Sequence, residues 1–117
     1  MMGVMSNCPF CLIASGAIAA DVVHADDSVV AFRDINPQSP VHILVIPRAH
    51  HANLAELAAA EPTLLSDLMV AAADVAVAEK LSAGYRLVIN TGGDGGQTVD
   101  HVHAHVLGGR HLTWPPG

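Results

Sequence analysis

The spacing of apolar and polar positions divides the chain into short extended runs around one helical stretch. Residues 28–33, SVVAFR, are rich in β-branched residues and Phe and read as a strand. DINPQSP ends it with an Asn-Pro pair and a second proline, a strong turn signal. VHILVIP, residues 41–47, is a second strand, closed by Pro47. From about Asn53 to Ser82 the period changes. Leu64, Leu65, Leu68, Met69, Ala72, Val75 and Ala76 recur at three- and four-residue steps, which predicts one long helix. Pro62 suits a first helical turn and Gly84 a C-terminal cap. YRLVIN is a third strand, TGGDGGQ a glycine-rich turn, and HVHAHVLGG, residues 101–109, a fourth strand. LIASGAIAADVV near the start reads as a helical turn leading into an extended segment, and prolines keep the tail RHLTWPPG out of a helix. Strands, a helix and further strands imply an α+β fold with a largely antiparallel sheet. With no internal repeat or low-complexity linker, residues 1–117 read as a single domain.

Composition narrows the class. Apolar residues make up 51% of the 117 positions but aromatics only 3%, so Val, Ile, Leu and Ala must build the core. So much apolar surface on a small domain suits a dimer. The formal net charge of −6 argues against nucleic-acid binding by neutralising many phosphates, although local groups can still hold one small phosphate. The opening MMGVMSNCPFCLIASGAIAA faintly echoes a secretory leader but lacks a basic start, and polar residues and a proline interrupt it. LMVAAADVAVA, broken by Asp74, falls short of a bilayer span. A cytoplasmic protein without a membrane partner is the expectation.

The stretch HVHAHV carries the chemistry. Alternation puts His101, His103 and His105 on one side, about 7 Å between neighbours, with Val102, Ala104 and Val106 on the other. The three imidazoles are open to three readings: a half-exposed sheet face without a role, a Zn or Fe site, or nucleophilic catalysis at phosphorus. The preceding turn tips the balance toward phosphate. Residues 90–98, NTGGDGGQT, offer backbone N–H groups, an amide and a hydroxyl to an anion, with glycines that permit close approach. CPFC is open in the same way: Cys8 and Cys11 have the spacing of half a zinc site, of a redox pair, or of two unliganded thiols.

DGGQTVDHVHAHVLGGR resembles the signature of the histidine-triad family, and the likeness extends through FRDINPQSPVHILVIPRAH and the ending WPPG. GGRHLTWPPG looks like the nucleoside phosphoramidase (Hint) branch. The resemblance implies a five-stranded antiparallel sheet with one long helix and a short N-terminal helix, in a homodimer that continues the sheet. It implies cleavage of the P–N bond of purine nucleoside phosphoramidates or related aminoacyl adenylates, with no catalytic cofactor. His103 would attack the α-phosphorus, His105 would bind the phosphate and help the leaving group, and His101 and His42 would orient and polarise the nucleophile. Asn90, Gly96, Gln97 and Thr98 match phosphate-binding positions, Asp34 and Ile35 the ribose pair, and Trp114 would reach the partner's site. The same resemblance implies a structural zinc on Cys8, Cys11, His50 and His101. Alternatives are hydrolysis of dinucleoside polyphosphates and a nucleotide- or metal-binding module with negligible turnover. Asp100 departs from the family's usual aromatic residue, Ala104 from a larger apolar one and Thr98 from serine. The Asp100 carboxylate is expected to tune the histidines or to join zinc's outer shell, while His24 and His111 read as surface residues.

Overall fold

A computed structural model describes residues 7–117. The first six residues of the leader-like run lie outside them. Three helices, α1 (Pro9–Ser15), α2 (Leu54–Ala60) and α3 (Pro62–Ala78), accompany five strands. The strands are β1 (Val22–Ala25), β2 (Val29–Arg33), β3 (Val41–Pro47), β4 (Tyr85–Val88) and β5 (Ala104–Gly108). All pair antiparallel in the order β1-β2-β3-β5-β4, so β5 sits inside the sheet and β4 at its edge. Among the described residues no helix is long and apolar enough to cross a membrane.

The helical stretch expected over 53–82 forms two helices rather than one, with Pro62 in the first turn of the second as expected. Pro62 disfavours a helical Glu61, which sits at φ −142° and ψ 71° and breaks the run in two. Asn53 caps α2 by accepting from the Glu56 N–H at 3.0 Å, and Pro62 starts α3. The C-terminus comes earlier than Gly84. Lys80 turns left-handed at φ 62°, and the Leu81 N–H closes back on the Ala76 carbonyl at 3.0 Å. That closure points Leu81 into the core, where it stacks on Gly108.

Alternation along the strands builds two cores. Val29, Ala31, Ile43, Val45, Ala104 and Val106 face α3, where Leu68, Ala72, Val75 and Ala76 meet them. Val30, Phe32, Leu44 and Ile46 face the other way and pack with Phe10 and Cys11 of α1. With seven residues, α1 is too short to cover that second face. Its N-cap is Cys8 and its end is Gly16, left-handed at φ 84°, where a side chain would be strained. The part of the face left open holds the site.

The fourth predicted strand is shorter than expected. Ladder pairing with β3 begins at Ala104 opposite Val45, so His101 and His103 precede β5. Upstream, the Val102 N–H leaves the sheet to donate to the His51 carbonyl at 2.8 Å. YRLVIN likewise pairs only over Tyr85–Val88.

Candidate active site and metal centre

A cleft of about 730 Å³ opens between α1 and the sheet. Ile18, Phe32, Asp34 and Ile35 line one part of it, and Thr98, Val99, His103 and His105 another. Its size and mixed lining suit a small organic ligand. Arg33 also reaches this cleft, but a two-pronged bond to Glu79 at 2.8 and 3.0 Å occupies its guanidinium.

Backbone groups dictate the tautomers of His103 and His42, and His42 in turn sets that of His105. A carbonyl can only accept, so the 2.8 Å contact between His103 Nδ1 and the His101 carbonyl places the proton on Nδ1. His103 Nε2 is then the basic nitrogen. An amide N–H can only donate, so the 3.0 Å bond from Gln38 N–H to His42 Nδ1 leaves that nitrogen bare. Neutral His42 therefore carries its proton on Nε2 and donates to His105 Nδ1 at 2.9 Å. By the same logic neutral His105 presents an N–H at Nε2, and that atom is buried without a partner among the described residues. Asp34 lies beside the chain, its Oδ2 3.4 Å from His42 Nε2 and its Oδ1 accepting from the Asn36 N–H at 2.8 Å.

Burial, reinforced by repulsion from neighbouring His103 and His42, lowers the His105 pKa to about 4, with Asp34 opposing. Burial also lowers His42, again against Asp34. Both rings therefore stay neutral near pH 7, as the tautomer chain requires. Phe10 sets its ring against His103, with centroids 5.0 Å apart and nearly perpendicular planes.

His101 faces elsewhere. It is fully buried, and its Nε2–H donates to the Pro47 carbonyl at 2.8 Å, which leaves Nδ1 bare. That nitrogen lies 3.4 Å from Cys8 Sγ, 3.5 Å from Cys11 Sγ and 3.2 Å from His50 Nδ1. Cys11 Sγ is 3.3 Å from His50 Nδ1. A tetrahedral zinc with ordinary bond lengths needs N–N edges of about 3.3 Å and N–S edges of about 3.5 Å. Cys8, Cys11, His50 and His101 thus form a Cys/His group whose donors and spacing fit a metal. Burial lowers the His101 pKa to about 4, which keeps its lone pair free. Of the two adjacent histidines His50 joins this group, whereas His51 pairs with Glu61 at 2.6 Å.

The remaining expected residues divide. Thr98 lines the cleft. The N–H groups of Gly95, Gly96 and Gln97 close the turn on the Gly92 and Gly93 carbonyls, so they do not point at an anion. Gln97 likewise spends its amide on the Ala52 and Val99 carbonyls and on the Gly92 N–H. Gly95 is required for this turn, because a Cβ there would stand 2.4 Å from the Thr91 carbonyl oxygen. The Asn90 amide lies against Gly96, and neither residue lines the cleft. Ile35 is fully exposed at the rim, and Trp114 stands outside the cleft of its own chain. Ala104 faces α3, away from the cleft. His24 is half-buried and pairs with Asp26 at 2.9 Å, while His111 is exposed.

Sequence reasoning missed Gln38, Pro47 and Phe10. The first two act through backbone atoms and leave no side-chain signal. Phe10 lies inside CPFC, beside Cys11, where its apolar ring was the one available signal.

Fold and site define a small α+β domain organised around a chain of imidazoles. The sequence profile of the HIT domain matches residues 15–112, and the chain belongs to the HIT family. It is 56% identical over 100 residues to an uncharacterized HIT-like protein of Synechococcus elongatus, covering 86% of this chain and 88% of that one. A HIT family hydrolase from Legionella pneumophila superposes with a TM-score of 0.91 at 49% identity, covering 95% of this chain and all of the other. A histidine triad nucleotide-binding protein from Candida albicans superposes with a TM-score of 0.81 at 30% identity, covering 93% and 83%.

Proposed function

We propose that the protein is a hydrolase that cleaves the P–N bond of purine nucleoside phosphoramidates through a nucleotidyl–His103 intermediate. The observation that carries this reading is the pair of cleft-lining imidazoles with opposite roles dictated by their hydrogen-bond partners. His103 offers a basic Nε2 because the His101 carbonyl holds its Nδ1–H, and His105 offers an unpartnered Nε2–H because Gln38 and His42 set its tautomer. The Legionella hydrolase and the Candida nucleotide-binding protein support the reaction type and ligand class.

In this mechanism His103 Nε2 donates its lone pair to the α-phosphorus, and the P–N electron pair leaves with the amine. One proton taken up with the anionic substrate passes to the departing nitrogen beside the His105 Nε2–H. Water then attacks phosphorus, replaces that proton and releases the monophosphate from His103. Asp34 and Ile35 hold the ribose, and the Thr98 hydroxyl contacts the phosphate, with Asn90, Gly96 and Gln97 shaping the turn behind it. Incubation with adenosine 5′-phosphoramidate tests the reading: AMP release should fall by roughly 10³-fold or more in His103→Ala. Undiminished release without that imidazole would overturn it.

The Cys8, Cys11, His50 and His101 group is read as a structural zinc site, closed by four protein ligands. Zinc would cross-link α1 to the loops at His50 and His101 and supply no step of the reaction. Thiolate ligands favour a reducing, cytoplasmic setting. A homodimer is read from the open edge of β4, where Tyr85 and Leu87 are exposed, and from Val70 and Val77 exposed on α3. In that assembly Trp114 would meet the partner's cleft.

A further inference from the structure

We propose that Asp100 selects leaving amines that carry a positive charge. The inference rests on the phosphoramidase reading and extends it to the substrate's second half. A depression of about 380 Å³ adjoins the cleft and shares Pro9, Thr98 and Val99 with it as common wall. A water's share of liquid volume is ~30 Å³, so the depression accommodates a chain of several carbons.

On the phosphoramidase reading the ribose is assigned to Asp34 and Ile35 and the reacting phosphorus to His103, His105 and Thr98, all of which line the cleft. The amine then departs toward Thr98 and Val99, which lead into the depression. Asp100 is the single carboxylate among the described residues that line it, and no arginine or lysine does. The side chain is exposed, and among the described residues it has no hydrogen bond or ion pair. Its expected service to the histidines finds no contact: both ring nitrogens of the neighbouring His101 are engaged by Pro47 and by the Cys/His group. Charge balance points the same way. With a net charge of −6 the protein repels an anionic nucleotide, and a cationic leaving group reduces that repulsion where Asp100 stands.

Two matched substrates test the proposal: AMP joined through nitrogen to one end of 1,4-diaminobutane, and its neutral isostere with n-pentylamine. The native protein should favour the cationic substrate about three- to fivefold in kcat/KM at low salt, the size of a solvent-screened ion pair. Added salt should shrink the preference. Asp100→Asn should bring the ratio close to one, Asp100→Glu should retain it, and Asp100→Lys should invert it. A merely structural role would lower both substrates alike and leave the ratio intact, which overturns the proposal, as does a native ratio of one. Affinities of both compounds for His103→Ala, measured by calorimetry, separate the two claims. If the native protein turns over neither compound, the phosphoramidase reading falls. The binding preference and its loss on Asp100→Asn then still decide the role of Asp100.

Discussion

Acid should unfold this protein through its buried histidines before its carboxylates titrate. His105 has its pKa lowered to about 4, and His42 is lowered as well, both chiefly by burial. An unfolded histidine titrates near 6.5, so below that pH the unfolded chain binds protons that the folded one refuses. The stabilisation is therefore fully present above pH 6.5 and is lost as pH falls toward about 4. Each group contributes a slope of at most about 1.4 kcal/mol per pH unit. Over the window for His105 that sums to ~3 kcal/mol, and partial solvent access to the ring reduces it to about 2 kcal/mol. Asp26, lowered by hydrogen bonds from Ser28 and from His24, acts in a separate window beneath its ordinary 3.8. Urea unfolding at pH 7.0, 6.0, 5.0 and 4.5, in the native protein and in His105→Asn, gives the comparison. The variant should lose about 2 kcal/mol less across that range. Parallel slopes in the two proteins would refute the neutral, desolvated pair on which the tautomer assignment depends.

Three further outcomes follow from the packing and from the zinc proposed at the Cys/His group. Stripping metal with a chelator should lower the urea midpoint by the equivalent of about 3 kcal/mol, with Cys11→Ser equally low and insensitive to chelator; an unchanged midpoint would show two unliganded thiols instead. Phe10→Ala removes edge contacts to Phe32 and His103 at 5.6 and 5.0 Å. It should destabilise by about 3 kcal/mol in thermal melts and lower kcat by at least tenfold at a temperature where the variant is folded. Leu68→Ala opens a cavity on the α3 side, at a cost of about 2–5 kcal/mol in urea unfolding, while kcat measured well below its melting temperature should stay within twofold.

The parts of this fold written in side-chain periodicity were legible from sequence. The β-branched, apolar runs in SVVAFR and VHILVIP marked β2 and β3, and the leucine spacing marked α3. What periodicity could not show was competition for backbone groups. Glu61 leaves the helix because of the proline after it, and Lys80 ends α3 through a left-handed turn that composition does not encode. The site divides along the same line. His103, His105 and His42 were visible as residue types, yet the hydrogen bond of His42 goes to His105 rather than to His103. His101 was expected both beside the nucleophile and at the metal. Its ring turns to Cys8, Cys11 and His50, while its carbonyl holds His103. One residue reaches two sites because side chain and main chain point in different directions. The glycine-rich turn shows the same competition for backbone groups: the N–H groups of Gly95, Gly96 and Gln97 close on the turn's own carbonyls.

The central claim is that His103 becomes covalently nucleotidylated. Rapid acid quenching of the protein with an adenosine phosphoramidate, followed by peptide mass spectrometry, tests it directly. An adenylyl group on the peptide containing His103, absent in His103→Ala and retained longer in His105→Asn, is the predicted result. An adduct on another residue, or full turnover in His103→Ala, would contradict the account.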